Sequence, residues 1–203
     1  MMDNEKKIVI SVSGAAEVAH CGADALNIAK ELGREIARHN CIISTGATSG
    51  FPHSSAQGYK EVNGVFSLGL SPAADEREHR ELYLLPLDFC DIIIYTGFGF
   101  PVRGILLAKS SHAMVVGCGR IGTIHEFTVA FESNMPLGIL EGPWETDEVI
   151  RDIIRNSNRT NPNVIFDSNP KRLVERLIEM VKEHRERKEL GDVDMVEELK
   201  AKV

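Results

Sequence analysis

The segment 118–126, CGRIGTIHE, brings glycines, a threonine, a cation and a carboxylate to the point where an apolar run meets a helical pattern. The first backbone N–H groups of a helix have no acceptor within that helix, and the helix dipole places roughly half a positive charge there. Such a turn binds anions, phosphate among them. Thr123 either adds a hydroxyl donor for the ligand or caps the helix. The predicted phosphate-binding residues are Gly119, Arg120, Ile121, Gly122 and Thr123.

Two charged side chains near this turn are candidates for chemistry on a phosphorylated ligand. Glu126 is predicted one turn inside the helix, on the wall of the pocket, although a glutamate in a first turn also complements the helix dipole by itself. Arg103 is an isolated cation in the apolar stretch 97–107, where it is either a ligand contact or an ordinary surface charge. We expect the two side chains on opposite walls of one cleft.

A second glycine-rich loop, TGATSG at 45–50, also follows a predicted strand. Its residues either wrap the same ligand or only form a tight turn, and Gly14, after the first predicted strand, has the same two interpretations. The candidate residues of these two segments are Gly14, Gly46, Thr48, Ser49 and Gly50.

Short β-branched runs alternate with helical patterns along the whole chain. Because these runs are almost continuously apolar, they are typical of strands covered on both faces, and the alternation implies parallel pairing. The sequence therefore predicts a single α/β domain over 1–203, with helices on both faces of a mostly parallel sheet of about seven strands. Thr146 is predicted to cap a late helix, and 183–203 is a charged C-terminal extension. Strands are predicted at 7–13, 41–44, 64–70, 91–95, 113–117, 137–140 and 164–166.

The glycines of 117–122 also fit the G-x-G-x-x-G fingerprint of dinucleotide-binding folds. Glu141, at the end of the next predicted strand, stands near the place of the acid that holds a ribose hydroxyl. A nicotinamide-dependent oxidoreductase is therefore one alternative. Against it, the fingerprint normally belongs to the first strand and helix of the domain, whereas three strands precede it here, and the following turn carries His125 and Glu126 instead of small or apolar residues.

The segment 118–126 resembles the P-G-G-x-G-T-x-x-E motif of the Lonely Guy (LOG) family, whose members were long labelled possible lysine decarboxylases. Arg103 stands at the separation at which that family carries an arginine on the preceding helix. The loop 45–50 matches the family's upstream glycine loop, and 69–72 matches its proline-containing turn after the third strand. The four features occur in order, and the resemblance covers roughly 8–140.

The resemblance implies a nucleoside 5'-monophosphate phosphoribohydrolase, which splits the N-glycosidic bond to give free base and ribose 5-phosphate. In that reaction Glu126 would bind the ribose hydroxyls or act as the acid/base group for the attacking water, and Arg103 would stabilise charge on the phosphate or the departing base. The resemblance also implies a Rossmann-like three-layer fold and a homodimer or a higher homo-oligomer. The old decarboxylase label is not favoured, because a pyridoxal-phosphate enzyme needs a buried lysine, and Lys109 is as easily placed towards solvent.

Three residues depart from the family pattern. Cys118 replaces a proline, Arg120 replaces a glycine, and Gly104 stands where lysine is usual. A long side chain at Arg120 either narrows the pocket or adds a cation for the phosphate. Related branches of the superfamily, such as the molybdenum-cofactor carrier proteins, bind ligands without hydrolysing them. A non-catalytic carrier or sensor of a nucleotide-like ligand is therefore the second alternative.

Composition narrows the class of partner. The chain has 203 residues and a net charge of -7, which disfavours a nucleic acid polymer and leaves a small phosphorylated ribose compound or nucleotide as the expected partner. The four cysteines form no C-x-x-C pair and no leader sequence is evident, so we expect a cytoplasmic protein with reduced thiols. No apolar run approaches the roughly 20 residues needed to span a membrane. The seven histidines show no metal-binding spacing, and we expect neither a metal nor a cofactor.

Overall fold

The computed structural model describes the backbone of residues 6–159 and 161–201, and the side chains of residues 6–159 and 161–187. Seven strands form one sheet, and six α-helices together with a short π-helix, Glu78–Leu82, connect them. The strands are β1 (Val9–Ser13), β2 (Ile42–Thr45), β3 (Ser67–Ser71), β4 (Ile92–Tyr95), β5 (Ala113–Val116), β6 (Leu137–Leu140) and β7 (Val164–Asp167). The helices are α1 (Ala25–Arg38), α2 (Gly50–Glu61), α3 (Gly99–Lys109), α4 (Ile121–Glu132), α5 (Thr146–Asn156) and α6 (Pro170–Ala201).

The order of strands across the sheet is β4-β3-β2-β1-β5-β6-β7, and every neighbouring pair is parallel. The chain first adds strands on one side of β1 and then continues on the other side with β5. In open α/β sheets, ligands bind in the crevice at the carboxyl ends of the strands where the order reverses. In this protein that crevice lies beyond Ser13 of β1 and Val116 of β5, which are paired in register.

The strand β5 shows why its apolar sequence forms a buried strand. Successive side chains of a strand point to opposite faces. Val115 packs into a core cluster that includes α1 and α6, whereas Met114 and Val116 pack into a second cluster that includes α4 and α5. Helices therefore cover both faces of the sheet. The predicted three-layer α/β fold is confirmed, and the sheet is entirely parallel.

Three details differ from the sequence expectations. The second helix begins at Gly50, so the end of the loop 45–50 already belongs to α2. The N-cap residue of α5 is Glu145, and the hydroxyl of Thr146 bonds elsewhere, so the predicted capping role is wrong. Most of the predicted charged extension is part of the long helix α6. Among the described residues, no helix combines the length and apolar character needed to cross a membrane.

Candidate functional site

A cavity of about 700 Å³ lies at the carboxyl ends of the central strands. Its walls come from the segments that follow β1, β2 and β5 and from the helices α3 and α4. This is the crevice predicted from the reversal in strand order. The predicted residues found in its walls are Gly14, Gly46, Thr48, Arg103, Arg120, Ile121, Gly122, Thr123 and Glu126.

Arg103 of α3 and Glu126 of α4 form a buried ion pair in this cavity. The distance from Nη1 of Arg103 to Oε1 of Glu126 is 2.6 Å, and both residues are only 7% exposed. The other carboxylate oxygen, Oε2, accepts a short hydrogen bond from the hydroxyl of Ser13, the last residue of β1. The two charges therefore contact each other directly, instead of facing each other from opposite walls as we expected.

Two glycines leave the space in which this ion pair fits. A Cβ atom at Gly46 would collide with the guanidinium of Arg103. A Cβ atom at Gly104 would lie 3.0 Å from Cγ and 3.2 Å from Oε1 of Glu126, which is too close without movement. The departure at Gly104 therefore has a structural reason: a lysine there would crowd the carboxylate in the position it occupies.

The ion pair leaves unused hydrogen-bonding capacity. The Nε atom of Arg103 is buried and has no partner among the described residues. A buried donor without an acceptor costs about 1–3 kcal/mol. The guanidinium also lies 5.8 Å from the ring centre of Phe100, which lines the same cavity. A ligand with an acceptor group or a planar ring would find both a donor and a stacking surface here.

The turn before α4 offers backbone donors to the cavity. No described residue accepts a hydrogen bond from the amides of residues 120–123, and the first turn of α4 contains no acidic residue. Thr123 is 4% exposed and is not the capping residue, because the N-cap position belongs to Arg120, which makes no side-chain cap. Free backbone donors at the start of a helix are the arrangement that binds anions in proteins, so the turn 118–123 is a candidate anion-binding turn.

Gly119 differs from the other residues of this turn. Its amide donates to Oγ1 of Thr146 over 2.8 Å, and the Thr146 hydroxyl donates in turn to the carbonyl of Gly119 over 2.9 Å. Gly119 lines an adjoining cavity of about 580 Å³. Its amide is therefore already used within the protein, and the predicted role of Gly119 as a direct phosphate donor does not fit this arrangement.

The upstream loop is divided between the cavity and the packing of the fold. Gly46 and Thr48 line the cavity, whereas Ser49 and Gly50 do not. The Ser49 hydroxyl donates to the carbonyl of Ala16 over 3.3 Å. Gly50 has φ of +72° and packs closely against the same segment. The predicted roles of Ser49 and Gly50 as ligand contacts therefore find no support in their positions.

Sequence reasoning missed several residues that line the cavity. His20 and Glu17 come from the segment between β1 and α1, in which no motif drew attention to them. His125 drew attention only as a departure from the dinucleotide fingerprint, but it lines the cavity, and its Nε2 lies 3.2 Å from the carbonyl oxygen of Pro101. Phe100 could have been suspected, because it stands three residues before Arg103 on α3.

The expectation of reduced, unpaired thiols is wrong for two of the four cysteines. Cys21 and Cys118 are joined by a disulfide, with their Cα atoms 5.7 Å apart. The pairing of β1 with β5 brings the loops after these strands together, although the two cysteines are 97 residues apart in sequence. The imidazole of His20 lies 3.6 Å from the sulfur of Cys118, so this cysteine also has the nearby histidine that the sequence did not reveal.

The dinucleotide alternative can be compared with the same geometry. The fingerprint glycines follow β5, and Gly14 follows β1 at the centre of the sheet. The carboxylate of Glu141, the candidate ribose acid, pairs with the guanidinium of Arg151 at the surface. Glu141 is not among the residues that line the cavity. The acid that faces the site is Glu126, on the helix after the glycines.

Several known proteins resemble this chain in sequence or in fold over most of its length. An uncharacterised protein of Archaeoglobus fulgidus is 30% identical over 138 residues, which covers 68% of this chain and 83% of the relative. The molybdenum cofactor binding protein of the phototrophic bacterium Rippkaea orientalis superposes with a TM-score of 0.69 at 26% identity, covering 88% of this chain and 97% of the neighbour. The molybdenum cofactor carrier protein of Chlamydomonas reinhardtii superposes with a TM-score of 0.66 at 26% identity. The match covers 85% of this chain and 99% of the carrier protein.

These similarities confirm the superfamily that the residues around Thr123 indicated, in which LOG-like proteins and molybdenum-cofactor carriers share one fold. The match to a family extends well beyond the glycine turn, because it begins before β1 and ends inside α6. Residues 7–174 match the SLOG cluster4 family, and the chain belongs to that family.

Proposed function

We propose that this protein binds a nucleotide or a similar phosphorylated ribose compound in the cavity at the carboxyl ends of β1, β2 and β5. The observation that carries the proposal is one cavity wall that combines the free amides of residues 120–123 with the buried pair of Arg103 and Glu126. The turn supplies a site for a phosphate, and the pair supplies a cation and a carboxylate for the polar groups of a sugar.

The size and lining of the cavity suit such a ligand. A volume of about 700 Å³ lies within the range of roughly 300–1,000 Å³ typical of small-molecule sites. Phe100, Pro101 and Ile121 give an apolar wall on which a flat base could rest. Arg120 stands at the rim of the turn and would place a further cation beside the phosphate. The similarity to proteins named for the molybdenum cofactor supports a nucleotide-like ligand independently of the motif.

Hydrolysis of a nucleoside 5'-monophosphate is the enzymatic form of the proposal. Water would add to the anomeric carbon while the N-glycosidic bond breaks, giving the free base and ribose 5-phosphate. Glu126 would take the proton from the water, and Arg103 would stabilise negative charge on the phosphate or on the departing base. Each carboxylate oxygen of Glu126 holds one partner in the protein and retains a lone pair for a water or a ribose hydroxyl.

A carrier or sensor without turnover is the second candidate, and one observation favours it. Both oxygens of Glu126 are already engaged, one by Arg103 and the other by Ser13. A carboxylate held in this way is fixed in orientation and suits the positioning of a ligand, and its engaged lone pairs are not available to an attacking water. In this form, Glu126 and Arg103 orient the ligand and no bond breaks.

One experiment separates the candidates. Purified protein is titrated by calorimetry with a panel of nucleoside 5'-monophosphates, with NAD and with inorganic phosphate, and each mixture is analysed by chromatography for free base. Binding with release of base supports the hydrolase, and binding without release supports the carrier. NAD binding in preference to monophosphates would favour the oxidoreductase, whereas no binding of any phosphorylated compound would overturn the proposal.

A variant pair assigns the site. Glu126→Gln keeps the size of the side chain and removes its charge, so base release should stop and any ribose contact should weaken. Glu141→Gln makes the same chemical change at the exposed pair with Arg151, outside the cavity, and should leave both signals unchanged. Equal effects of the two substitutions would contradict the assignment of Glu126.

We also propose that the protein forms a homodimer or a higher homo-oligomer. β4 is an edge strand with β3 as its neighbour, and its outer side chains are about half exposed. The helix α3, which follows β4 in the chain, exposes further apolar groups, and exposed apolar side chains in such number are typical of protein interfaces. Light scattering after gel filtration should give more than one subunit, and Ile94→Lys should shift the protein towards monomer, whereas Val149→Lys on α5 should not. The exposed apolar residues of this region are Ile92, Ile94, Phe98, Phe100, Val102, Ile105 and Leu106.

A further inference from the structure

Three metal-ligating side chains meet beside the anion-binding turn. His20 and Cys21 belong to the segment between β1 and α1, and Cys118 begins the turn after β5. The Nε2 atom of His20 lies 3.7 Å from the sulfur of Cys21 and 3.6 Å from that of Cys118. Both cysteines are fully buried, whereas His20 lines the large cavity and the adjoining one. Within the described part of the chain, no other three His, Cys, Asp or Glu residues are grouped closely enough to hold a metal ion.

We propose that, once the Cys21–Cys118 disulfide is reduced, His20, Cys21 and Cys118 bind a thiophilic metal ion such as Zn²⁺. Two thiolates and one imidazole form a known three-ligand set for zinc, which leaves a fourth position for water or another ligand. Both cysteines are buried, whereas His20 lies in the walls of both cavities, so a bound ion would be approached from the His20 side.

The distances agree with a tetrahedral site. With Zn–S of about 2.3 Å and Zn–N of about 2.0 Å, a nitrogen and a sulfur ligand lie roughly 3.5 Å apart. The imidazole is already at nearly this distance from each sulfur. Breaking the disulfide allows the sulfurs to separate to the roughly 3.8 Å that two thiolates on one zinc require.

The reaction is balanced with a dithiol as reductant. The dithiol gives two electrons and two protons to the disulfide, becomes a disulfide itself and leaves Cys21 and Cys118 as thiols. Zn²⁺ then displaces one proton from each thiol, and the neutral imidazole of His20 adds a lone pair. The two thiolate charges cancel the charge of the ion, so the buried site carries no net charge.

The remaining cysteines do not compete for the metal. Burial raises the pKa of the Cys41 thiol to about 11, and burial also raises the pKa of Cys90. A thiol with a raised pKa is a poor source of the thiolate that a metal needs. Neither cysteine belongs to the group of three ligands around His20.

The test uses the whole chain, reduced with dithiothreitol, freed of reductant without oxygen, and titrated with Zn²⁺ or Co²⁺. We expect one ion per chain and, with Co²⁺, a thiolate-to-metal charge-transfer band and the intense visible bands of tetrahedral cobalt. Protein kept oxidised should bind none. His20→Ala, on a partly exposed residue that should not disturb folding, should lose the metal, as should Cys21→Ser, whereas Cys90→Ser should retain both metal and spectrum.

Several outcomes would overturn the proposal. These are failure of the reduced protein to bind Zn²⁺, a cobalt complex without thiolate bands, equal loss in Cys90→Ser, and a disulfide that resists the dithiol in the folded protein. The metal readout does not involve a nucleotide, so its result is independent of the function proposed for the cavity.

Discussion

Two turns at the same edge of the sheet, 45–50 before α2 and 118–123 before α4, have similar sequences and different surroundings. Each connects a buried strand to a helix, and each contains glycines with a serine or threonine. At α2, the amide of Phe51 donates to the carbonyl of Ala15 over 2.9 Å, and Ser49 donates to Ala16. At α4, the amides of residues 120–123 meet no acceptor in the described chain.

The difference between the turns comes from the segment after β1. This segment passes over the start of α2 and supplies carbonyl groups there, whereas the helix α3 and its Arg103 face the start of α4. A glycine-rich turn can therefore serve the proposed ligand site only where the rest of the fold leaves its backbone donors free.

The largest effect should come from breaking the ion pair beside the α4 turn. Arg103→Met leaves the buried carboxylate of Glu126 without its cation, which typically costs about 3–5 kcal/mol. We expect a loss of that size in the free energy of unfolding, measured by urea denaturation, together with loss of nucleotide binding.

The matched control for this substitution lies at the surface. Arg151→Met breaks the pair with Glu141, which is partly exposed, and should cost at most about 1 kcal/mol. Equal losses in the two variants would show that the pair of Arg103 and Glu126 is not desolvated in the way the structure indicates.

Replacing one glycine by alanine should destabilise the protein far more at the start of α2 than at the start of α4. At Gly50, a Cβ atom would collide with the carbonyls of Ala15 and Ala16, and the φ of +72° is unfavourable for any other residue. Gly50→Ala should therefore destabilise the protein by about 2–3 kcal/mol. At Gly122, an added Cβ meets nothing within 4 Å, so Gly122→Ala should change stability by less than about 1 kcal/mol. The midpoints of thermal or urea unfolding measure both, and the reverse order would contradict the comparison.

Removing one side-chain hydroxyl should weaken ligand binding at the turn before α4 but not at the loop 45–50. Thr123 lies in the cavity wall, and its hydroxyl has no partner among the described residues, whereas the hydroxyl of Ser49 donates to the carbonyl of Ala16. Thr123→Val should weaken phosphate or nucleotide binding about two- to tenfold, because one hydrogen bond is worth roughly 0.5–1.5 kcal/mol. Ser49→Ala should leave the affinity unchanged. Calorimetry on the two folded variants measures both affinities. A larger loss of affinity for Ser49→Ala would mean that the ligand binds at the loop 45–50 and not at the turn before α4.

The sequence was sufficient for the elements of the fold but only partly sufficient for the site. Strands such as β5 can be predicted from the sequence because a strand that is buried on both faces requires an unbroken apolar run. Arg103 and Glu126 were found through the spacing of a motif, but their direct contact depends on Gly46 and Gly104, whose small size matters only once α3 and α4 are packed. Ser13 gave no signal, because its bond to Glu126 follows from the central place of β1.

The cysteines illustrate a contact that local sequence patterns cannot predict. Cys21 and Cys118 are 97 residues apart and form no motif, so only the pairing of β1 with β5 brings them together. His20 was missed for the same reason, since a lone histidine in a connecting segment carries no spacing signal. Local periodicity predicts elements, whereas a site assembled from three distant loops requires the topology of the sheet.

The smallest effect on stability should come from the start of α5, which lies at the same edge of the sheet. Its first residue, Thr146, is hydrogen-bonded to Gly119 in the turn before α4. Its neighbour Asp147 is buried, and one carboxylate oxygen has no partner among the described residues. Burial raises the pKa of Asp147 above its usual 3.8, so the folded protein binds more protons than the unfolded chain between that value and the raised pKa. Stability should therefore fall as the pH rises through this window, and Asp147→Asn should remove that fall and make the protein slightly more stable at neutral pH.

Urea denaturation of both proteins from pH 4 to pH 7 measures the difference. An Asn variant that is less stable at pH 7 would mean that the carboxylate of Asp147, like the hydroxyl of Thr146, has an essential partner in holding the α4 turn.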